Sequence, residues 1–262
     1  MPQLRGRVLA IGGSDPGGGA GIQADLKTIA AFGGYGATAL TAVTVQTTRQ
    51  VTDVLVLPPQ LVQAQIAAVL GDIGADAVKT GMLADPDVVE AVCDALIAAP
   101  PCPLVIDPVL RATAGRALLA EAALAVLKRR LLPLAVLLTP NLPEAEVLAG
   151  MAIPDLPAMR HAAEVLLTLG VPAVLLKGGH LPGDTVVDLL ATEEGVEEFA
   201  AARIPSRHTH GTGCTLASAV TTSLAQGLPL REAVLRARGF VRAAILAAPG
   251  LGAGNGPLNH GV

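Results

Sequence analysis

The feature that most constrains this 262-residue chain is an alternation: short apolar runs ending in glycine or a polar residue are each followed by a stretch with helical spacing. "RVLAIGG" reads as a strand, and "AGIQADLKTIAAFG" as a helix stopped by Gly33. "ATALTAVTVQ" and "VTDVLVLP" are β-branched runs, while "PPQLVQAQIAAVLGD" sets Val62, Ile66, Val69 and Leu70 on one helical face. "ADAVKTGM", "PLVIDPVL", "AVLLTP" and "VPAVLLKGGH" continue as strands, with "DPDVVEAVCDALIAA" and "NLPEAEVLAG" as helices among them. Apolar strands joined through amphipathic helices form a mostly parallel sheet covered on both faces. One stretch departs from this: "DTVVDLLATEEGVEEFAAARIP" predicts a β-hairpin near residues 184–204, turning around Glu193–Gly195. Two helices follow, after Thr212 and after Pro229. With no repeat, linker or low-complexity tract, residues 1–262 are expected to form one α/β domain.

Composition then removes several classes of function. Only 2% of residues are aromatic and the net charge is −4, so neither stacking platforms nor a basic footprint for nucleic acid is expected. Three cysteines, Cys93, Cys102 and Cys214, lack CxxC spacing, which argues for a reducing compartment and against disulfides or structural zinc. "TIAAFGGYGATALTAVTVQTT" is uncharged but broken by glycines, and the apolar run in "MPQLRGRVLAIGG" is too short for a signal peptide to be expected. The expectation is a soluble cytoplasmic protein with no membrane partner.

In parallel α/β sheets, ligands sit beyond the carboxyl ends of the strands. Those ends carry Gly12–Gly21, Gln46, Lys79–Met82, Asp107, Asn141–Glu144, Lys177–His180 and the Gly211–Cys214 turn. The loop "GGSDPGGGAG" is neither a Walker loop nor a GxGxxG fingerprint, though its glycines permit close approach to a ligand between Asp15 and Asp25. In "TPNLPEAE", Asn141 and Glu144 have capping-box spacing, and the same pair has the chemistry to organise a hydrated magnesium ion. Asp107 in "VIDPVL" can hold metal or cap a turn, and Lys177 in "LLKGGH" can meet phosphate oxygens. "HGTGC" starts a helix, and the amides of Gly211, Thr212, Gly213 and Cys214 are expected to cradle developing phosphoryl charge. A cysteine there is either a small buried residue or a thiol tuned by the helix N-terminus. His208 and His210 are read as loop residues, because no metal-ligand spacing accompanies them.

Taken in order, "GGSDPGGGAGIQADLKT", "GYGATALTAVTVQTT", "KTGML", "VIDPV", "TPNLPEAEVL", "LLKGGH", "HGTGCTLASA" and "GNGPLNH" resemble the hydroxymethylpyrimidine/phosphomethylpyrimidine kinases of thiamine biosynthesis. The resemblance runs from about Val8 to His260. It implies a ribokinase-like three-layer α/β/α sandwich, ATP as co-substrate, Mg2+, and two successive phosphorylations of 4-amino-5-hydroxymethyl-2-methylpyrimidine. By the same resemblance, Gln46 reads the ring's amino edge, Asp25 and the Gly13 backbone hold the substrate, and Met82 and Val109 pack near the ring. Asp107, Asn141 and Glu144 (through water) arrange magnesium. Lys177 neutralises phosphate charge beside Thr212. Cys214 stands where most ribokinase-like enzymes carry an aspartate base, so the resemblance makes it the acceptor of the substrate hydroxyl's proton. A homodimer is implied, and dependence on a monovalent cation stays open. "LRATAG", Leu110–Gly115, departs from the family's pattern, with Ala114 in place of a serine and Arg111 added.

Three alternatives compete. A pyridoxal or pyridoxine kinase shares the fold and a hydroxymethyl heteroaromatic substrate, but a phenolic oxygen has less need of the Gln46 amide. A non-catalytic pyrimidine-binding module would not need the Lys177, Asp107, Asn141, Glu144 and Cys214 set. A sugar kinase would need more polar side chains than "TALTAVTVQ" supplies.

Overall fold

Side chains along the first strand, β1 (Arg7–Ser14), divide between two cores, and that division sets the layering. Leu9 and Ile11 pack into one cluster, while Val8 and Ala10 join Ile29 on the opposite face. Successive strand residues point to opposite sides, so a strand apolar at every position needs helices on both. The computed structural model describes residues 5–110 and 118–262.

Parallel partners flank β1. On one side lies β2 (Tyr35–Gln46), with Ala37 opposite Leu9, and on the other β4 (Ala77–Thr80), with Val78 opposite Leu9. β3 (Val51–Val56) runs antiparallel along the far end of β2. Beyond β4 come β5 (Leu104–Ile106), β6 (Leu137–Leu138) and β7 (Ala173–Leu176), all parallel. The expected hairpin closes the series as β8 (Thr185–Thr192) and β9 (Gly195–Ala202), both antiparallel. The sheet order is β3-β2-β1-β4-β5-β6-β7-β8-β9. It reverses direction between β1 and β4, and a crevice opens at such a switch point.

Among the described residues, eight α-helices carry the connections: α1 (Gly21–Ala31), α2 (Pro59–Asp72), α3 (Pro86–Ala98), α4 (Glu121–Val126), α5 (Leu142–Ala149), α6 (Leu156–Leu167), α7 (Thr212–Ala225) and α8 (Leu230–Leu246). Local chemistry starts several of them. Asp85 accepts the Asp87 amide and Asp155 the Ala158 amide, each with proline in the first turn. Helices α2 to α6 share the core of Leu9, Ile11, Val62, Ile66, Val92 and Leu166, and α7 and α8 share that of Val105, Leu137, Leu175, Val220 and Val234. The helical face expected from Val62, Ile66, Val69 and Leu70 is the one that packs inward. Residues 121–134, to which the sequence pattern assigns no element, form α4, a π-helical turn (Leu127–Leu131) and a 3-10 turn (Leu132–Leu134). Leu127, Leu131 and Leu132 are buried there, so this segment plugs the core rather than crossing it.

Every residue of α7 from Thr215 to Ser223 is buried. Two of its hydroxyls are satisfied within the helix: Thr221 donates to Ala217 O and Thr222 to Ser218 O, each at 2.7 Å. Small side chains let this central helix lie against β1, β4 and β5 as well as α1 and α8. Among the described residues no helix is long and apolar enough to cross a membrane.

Candidate active site

The strand ends surround one cavity of about 640 Å³. Its wall includes Gly13, Gln46, Met82 and Val109, and also Asp107, Asn141, Glu144, Lys177 and the Gly211–Cys214 turn, with Asp25. The Arg111–Gly115 part of the divergent turn lies outside the described residues.

The glycine turn at the start of α7 is held by steric necessity. Gly211 has φ +83°, and a Cβ there would lie 1.7 Å from Gly19 O, so no side chain fits. A Cβ on Gly213 would lie 3.1 Å from Lys177 Nζ and 3.4 Å from Asp107 Oδ2. The turn, the lysine and the aspartate therefore converge on one small space. No acidic residue occupies the first turn of α7, so its positive end is left facing the cavity. Thr212 departs from its expected part. Its amide (3.2 Å) and its hydroxyl (2.6 Å) both donate to Thr209 O, so both of its protons are already taken by the turn itself.

Lys177 Nζ is 3.1 Å from Asp107 Oδ1. Burial alone would lower its pKa, but Asp107 and Glu144 outweigh that and raise it, so the ammonium persists. Asn141 and Glu144 do form the capping box: Glu144 N donates to Asn141 Oδ1 at 3.0 Å, and Asn141 N to Glu144 Oε2 at 2.8 Å. The structural and ligand-facing readings of this pair thus coexist, since both residues also line the cavity. Burial, joined by Asp107, pushes the Glu144 carboxyl up to about 7 against the pull of Lys177.

Burial pushes the Cys214 thiol up to about 12; Lys79 opposes this, and Asp107 and Asp25 add to it. At neutral pH Cys214 is therefore a thiol.

Two groups gained no role from the sequence. Lys79, 1% exposed, places Nζ 3.0 Å from both oxygens of the fully buried Asp25, which also accepts from Ser218 at 2.7 Å. Asp25, expected to hold substrate, is thereby engaged in an internal ion pair in the cavity wall. A lysine in the otherwise apolar strand "ADAVKT" was the available signal, because lysine is almost never fully buried unless paired. His210, read as a loop residue, is instead buried against the site. Its Nε2 is 2.8 Å from Asp15 Oδ2 and 3.2 Å from Gln46 Nε2. Asp15 in turn accepts the amides of Gly17 (2.8 Å), Gly19 (3.1 Å) and Ala20 (2.9 Å), which shapes the glycine loop. Burial would raise the Asp15 pKa, but His210 and these amides outweigh it and hold it low.

Comparison with known proteins bears on this arrangement. The sequence profile of the family described as phosphomethylpyrimidine kinase matches residues 15–259. A hydroxymethylpyrimidine/phosphomethylpyrimidine kinase of Streptomyces coelicolor is 50% identical over 256 residues, covering 97% of this chain and 94% of the relative. A thiamine biosynthesis bifunctional protein of Geobacter sulfurreducens is 51% identical over 259 residues, and the chain spans 99% of itself but 53% of that longer protein. Among solved structures, the pyridoxal kinase of Staphylococcus aureus in complex with AMP-PCP and pyridoxal superposes with a TM-score of 0.91 at 33% identity, covering 99% of this chain and 94% of the other.

Proposed function

We infer the division of labour in the cavity from one premise: the chain belongs to the phosphomethylpyrimidine kinase family, phosphotransferases of thiamine biosynthesis. Its reaction is phosphorylation of 4-amino-5-hydroxymethyl-2-methylpyrimidine by ATP, followed by conversion of the monophosphate to the pyrophosphate. The observation that carries the residue assignments is that one cavity is lined both by Gly13, Gln46, Met82 and Val109 and by Lys177, Asp107 and the start of α7. Gln46 reads the amino edge of the ring, with Gly13, Met82 and Val109 against its faces and Asp25 supporting the floor. The hydroxymethyl oxygen lies toward Gly213 and Cys214. In each transfer an oxygen–phosphorus bond forms as the β–γ bridging bond of ATP breaks and ADP leaves. Charge on the moving phosphoryl group is met by Lys177 and the amides at the start of α7.

Because Cys214 rests as a thiol, it orients the hydroxyl by accepting its hydrogen bond; it takes the proton only in its minor thiolate form. A loose transition state tolerates this, since the proton is given up late. Among the described residues no cluster of three or more His, Cys, Asp or Glu side chains forms a metal cage. Two carboxylates and an amide at the phosphate end still fit magnesium, which keeps its waters and binds through few protein ligands plus phosphates. Asp107, Glu144 and Asn141 would hold it, and it would neutralise phosphate charge. By the same family resemblance, residues 1–262 work as one kinase domain, in the cytoplasm, as a homodimer.

The test is phosphoryl transfer from MgATP to hydroxymethylpyrimidine, its monophosphate and pyridoxal, run side by side. Turnover of both pyrimidines in preference to pyridoxal is expected. Turnover of pyridoxal alone would move the chain to the rival reading, which the similarity to the Staphylococcus aureus enzyme keeps in view.

A further inference from the structure

The structure assigns to His210 a task in substrate selection: it fixes which way round the Gln46 amide faces, and through that amide favours an amino group over a carbonyl on the bound pyrimidine. This rests on the reading in which Gln46 meets the ring edge.

Asp15 is the starting point. Its carboxylate already accepts three backbone amides, and a carboxylate has no proton to give. His210 Nε2, 2.8 Å from Asp15 Oδ2, must therefore carry the proton. This holds for the neutral Nε2–H tautomer and for the imidazolium alike. The ring has little freedom to escape. A Cβ on Gly19 would lie 2.7 Å from His210 Cδ2, so the ring packs flush against that glycine, and the His210 amide donates to Gly256 O at 3.1 Å.

The two ends of a primary amide have nearly the same shape, so only their partners tell them apart. Taken with nitrogen toward His210, the Gln46 amide sets two N–H donors 3.2 Å apart. Its oxygen would then need a proton from Thr44 Oγ1, 3.4 Å away. Thr44 has one proton, committed to Ser14 O at 2.8 Å. Both conflicts ease when the amide is turned over: the carbonyl takes the lesser branch of a three-centre bond from His210 Nε2–H, whose main acceptor stays Asp15, and the NH2 donates to Thr44 Oγ1. Two independent neighbours thus demand the same orientation.

Each end of the amide then has one capacity used by the protein and one left toward the cavity, a lone pair on oxygen and an N–H on nitrogen. A 4-aminopyrimidine offers an N–H beside a ring-nitrogen acceptor, which matches that order. The 4-oxo counterpart offers an acceptor beside a ring N–H. To receive it, Gln46 would have to turn its NH2 against the His210 N–H. His210 is therefore a positioning residue for specificity, acting through Gln46.

The experiment compares kcat/KM, with MgATP, for the hydroxymethyl 4-aminopyrimidine and its 4-oxo counterpart in the wild type and in His210→Gln. A glutamine at 210 presents either end of its own amide, so Gln46 is released to turn. The amino-over-oxo ratio is expected to fall by at least about tenfold, the worth of one buried hydrogen bond. The change should lie in KM for the pyrimidine, with KM for MgATP unmoved. An unchanged ratio overturns the proposal. Independently of any variant, long-range 15N–1H spectra of the wild type should show His210 protonated at Nε2, and a proton on Nδ1 alone overturns it equally. A wild type that phosphorylates neither ring removes the kinase premise itself, a result distinct from both.

Discussion

Alkylation of Cys214 by iodoacetamide measures whether the helix end or burial governs the thiol. With burial pushing the thiol up to about 12, the thiolate fraction at pH 7.5 is about 3 in 100,000. A free cysteine, with a pKa of about 8.5, is about one-tenth thiolate at the same pH. The roughly three-thousandfold deficit is partly returned, because a more basic thiolate is a better nucleophile. A Brønsted coefficient of about 0.45 over about 3.5 units restores about fortyfold. The net expectation is a rate about a hundredfold below that of free cysteine in the same tube, read by mass spectrometry of the Cys214 peptide. Steric shielding can also slow alkylation, so the pH profile decides. The rate should climb about tenfold per pH unit up to pH 10 without levelling. A plateau with its midpoint between about pH 7 and 9 would refute the reasoning. It would show that the field at the start of α7 outweighs burial, and would return Cys214 to the role of a ready base.

Three other outcomes follow from the same geometry. Gly213→Val places a branched side chain where a single Cβ already lies 3.1 Å from Lys177 Nζ, so kcat should drop by about a hundredfold or more while the melting temperature holds; full activity would remove the cradle. Lys79→Met leaves the Asp25 carboxylate buried without its cation and should cost about 3–5 kcal/mol in urea unfolding, much of it recovered by adding Asp25→Leu; equal losses in the single and double variants would contradict the ion pair. Burial, helped by Lys27, lowers the His260 pKa to about 4, so the unfolded chain binds this proton between about pH 6.5 and 4 while the native state does not. Its contribution is complete above about pH 6.5 and shrinks as pH falls, by about 2–3 kcal/mol near pH 4, and His260→Gln should flatten that slope; parallel stability curves for the two proteins would count against it.

The layering was legible in sequence wherever side-chain period and burial coincide, as in Val8 to Ile11 or Val62 to Ile66, because local spacing alone decides those faces. The convergence of Gln46, Lys177 and Gly213 was legible for a different reason: a parallel sheet puts all its strand ends on one side. Partnerships were not legible. Nothing local in "GGSDPGGG" says that Asp15 waits for a histidine 195 residues later, or that Asp25 is matched by Lys79, 54 residues on. His210 looked idle because no metal-ligand spacing accompanies it in the sequence, whereas its value lies in one hydrogen bond across the fold. Thr212 misled in the opposite direction. Its place in the turn suited a phosphate ligand, but a carbonyl three residues back takes both its protons. Residues 121–134 stayed unassigned because their apolar positions follow no single helical period, and the structure splits them among three helix types.

The separation of Asp15 from its histidine also sets an order in time. A ribosome adding about 5–20 residues per second leaves about 10–40 s between the emergence of the two. The central strands β1, β2 and β4 can pair within that interval, since all three lie in the first third of the chain. The glycine loop cannot take its final shape until His210 arrives, nor can His210 settle before Gly256 and Pro257 emerge to hold it. A nascent or prematurely ended chain can therefore own most of the sheet and still lack a finished substrate end. Competence to move phosphate is withheld until Pro257 has emerged.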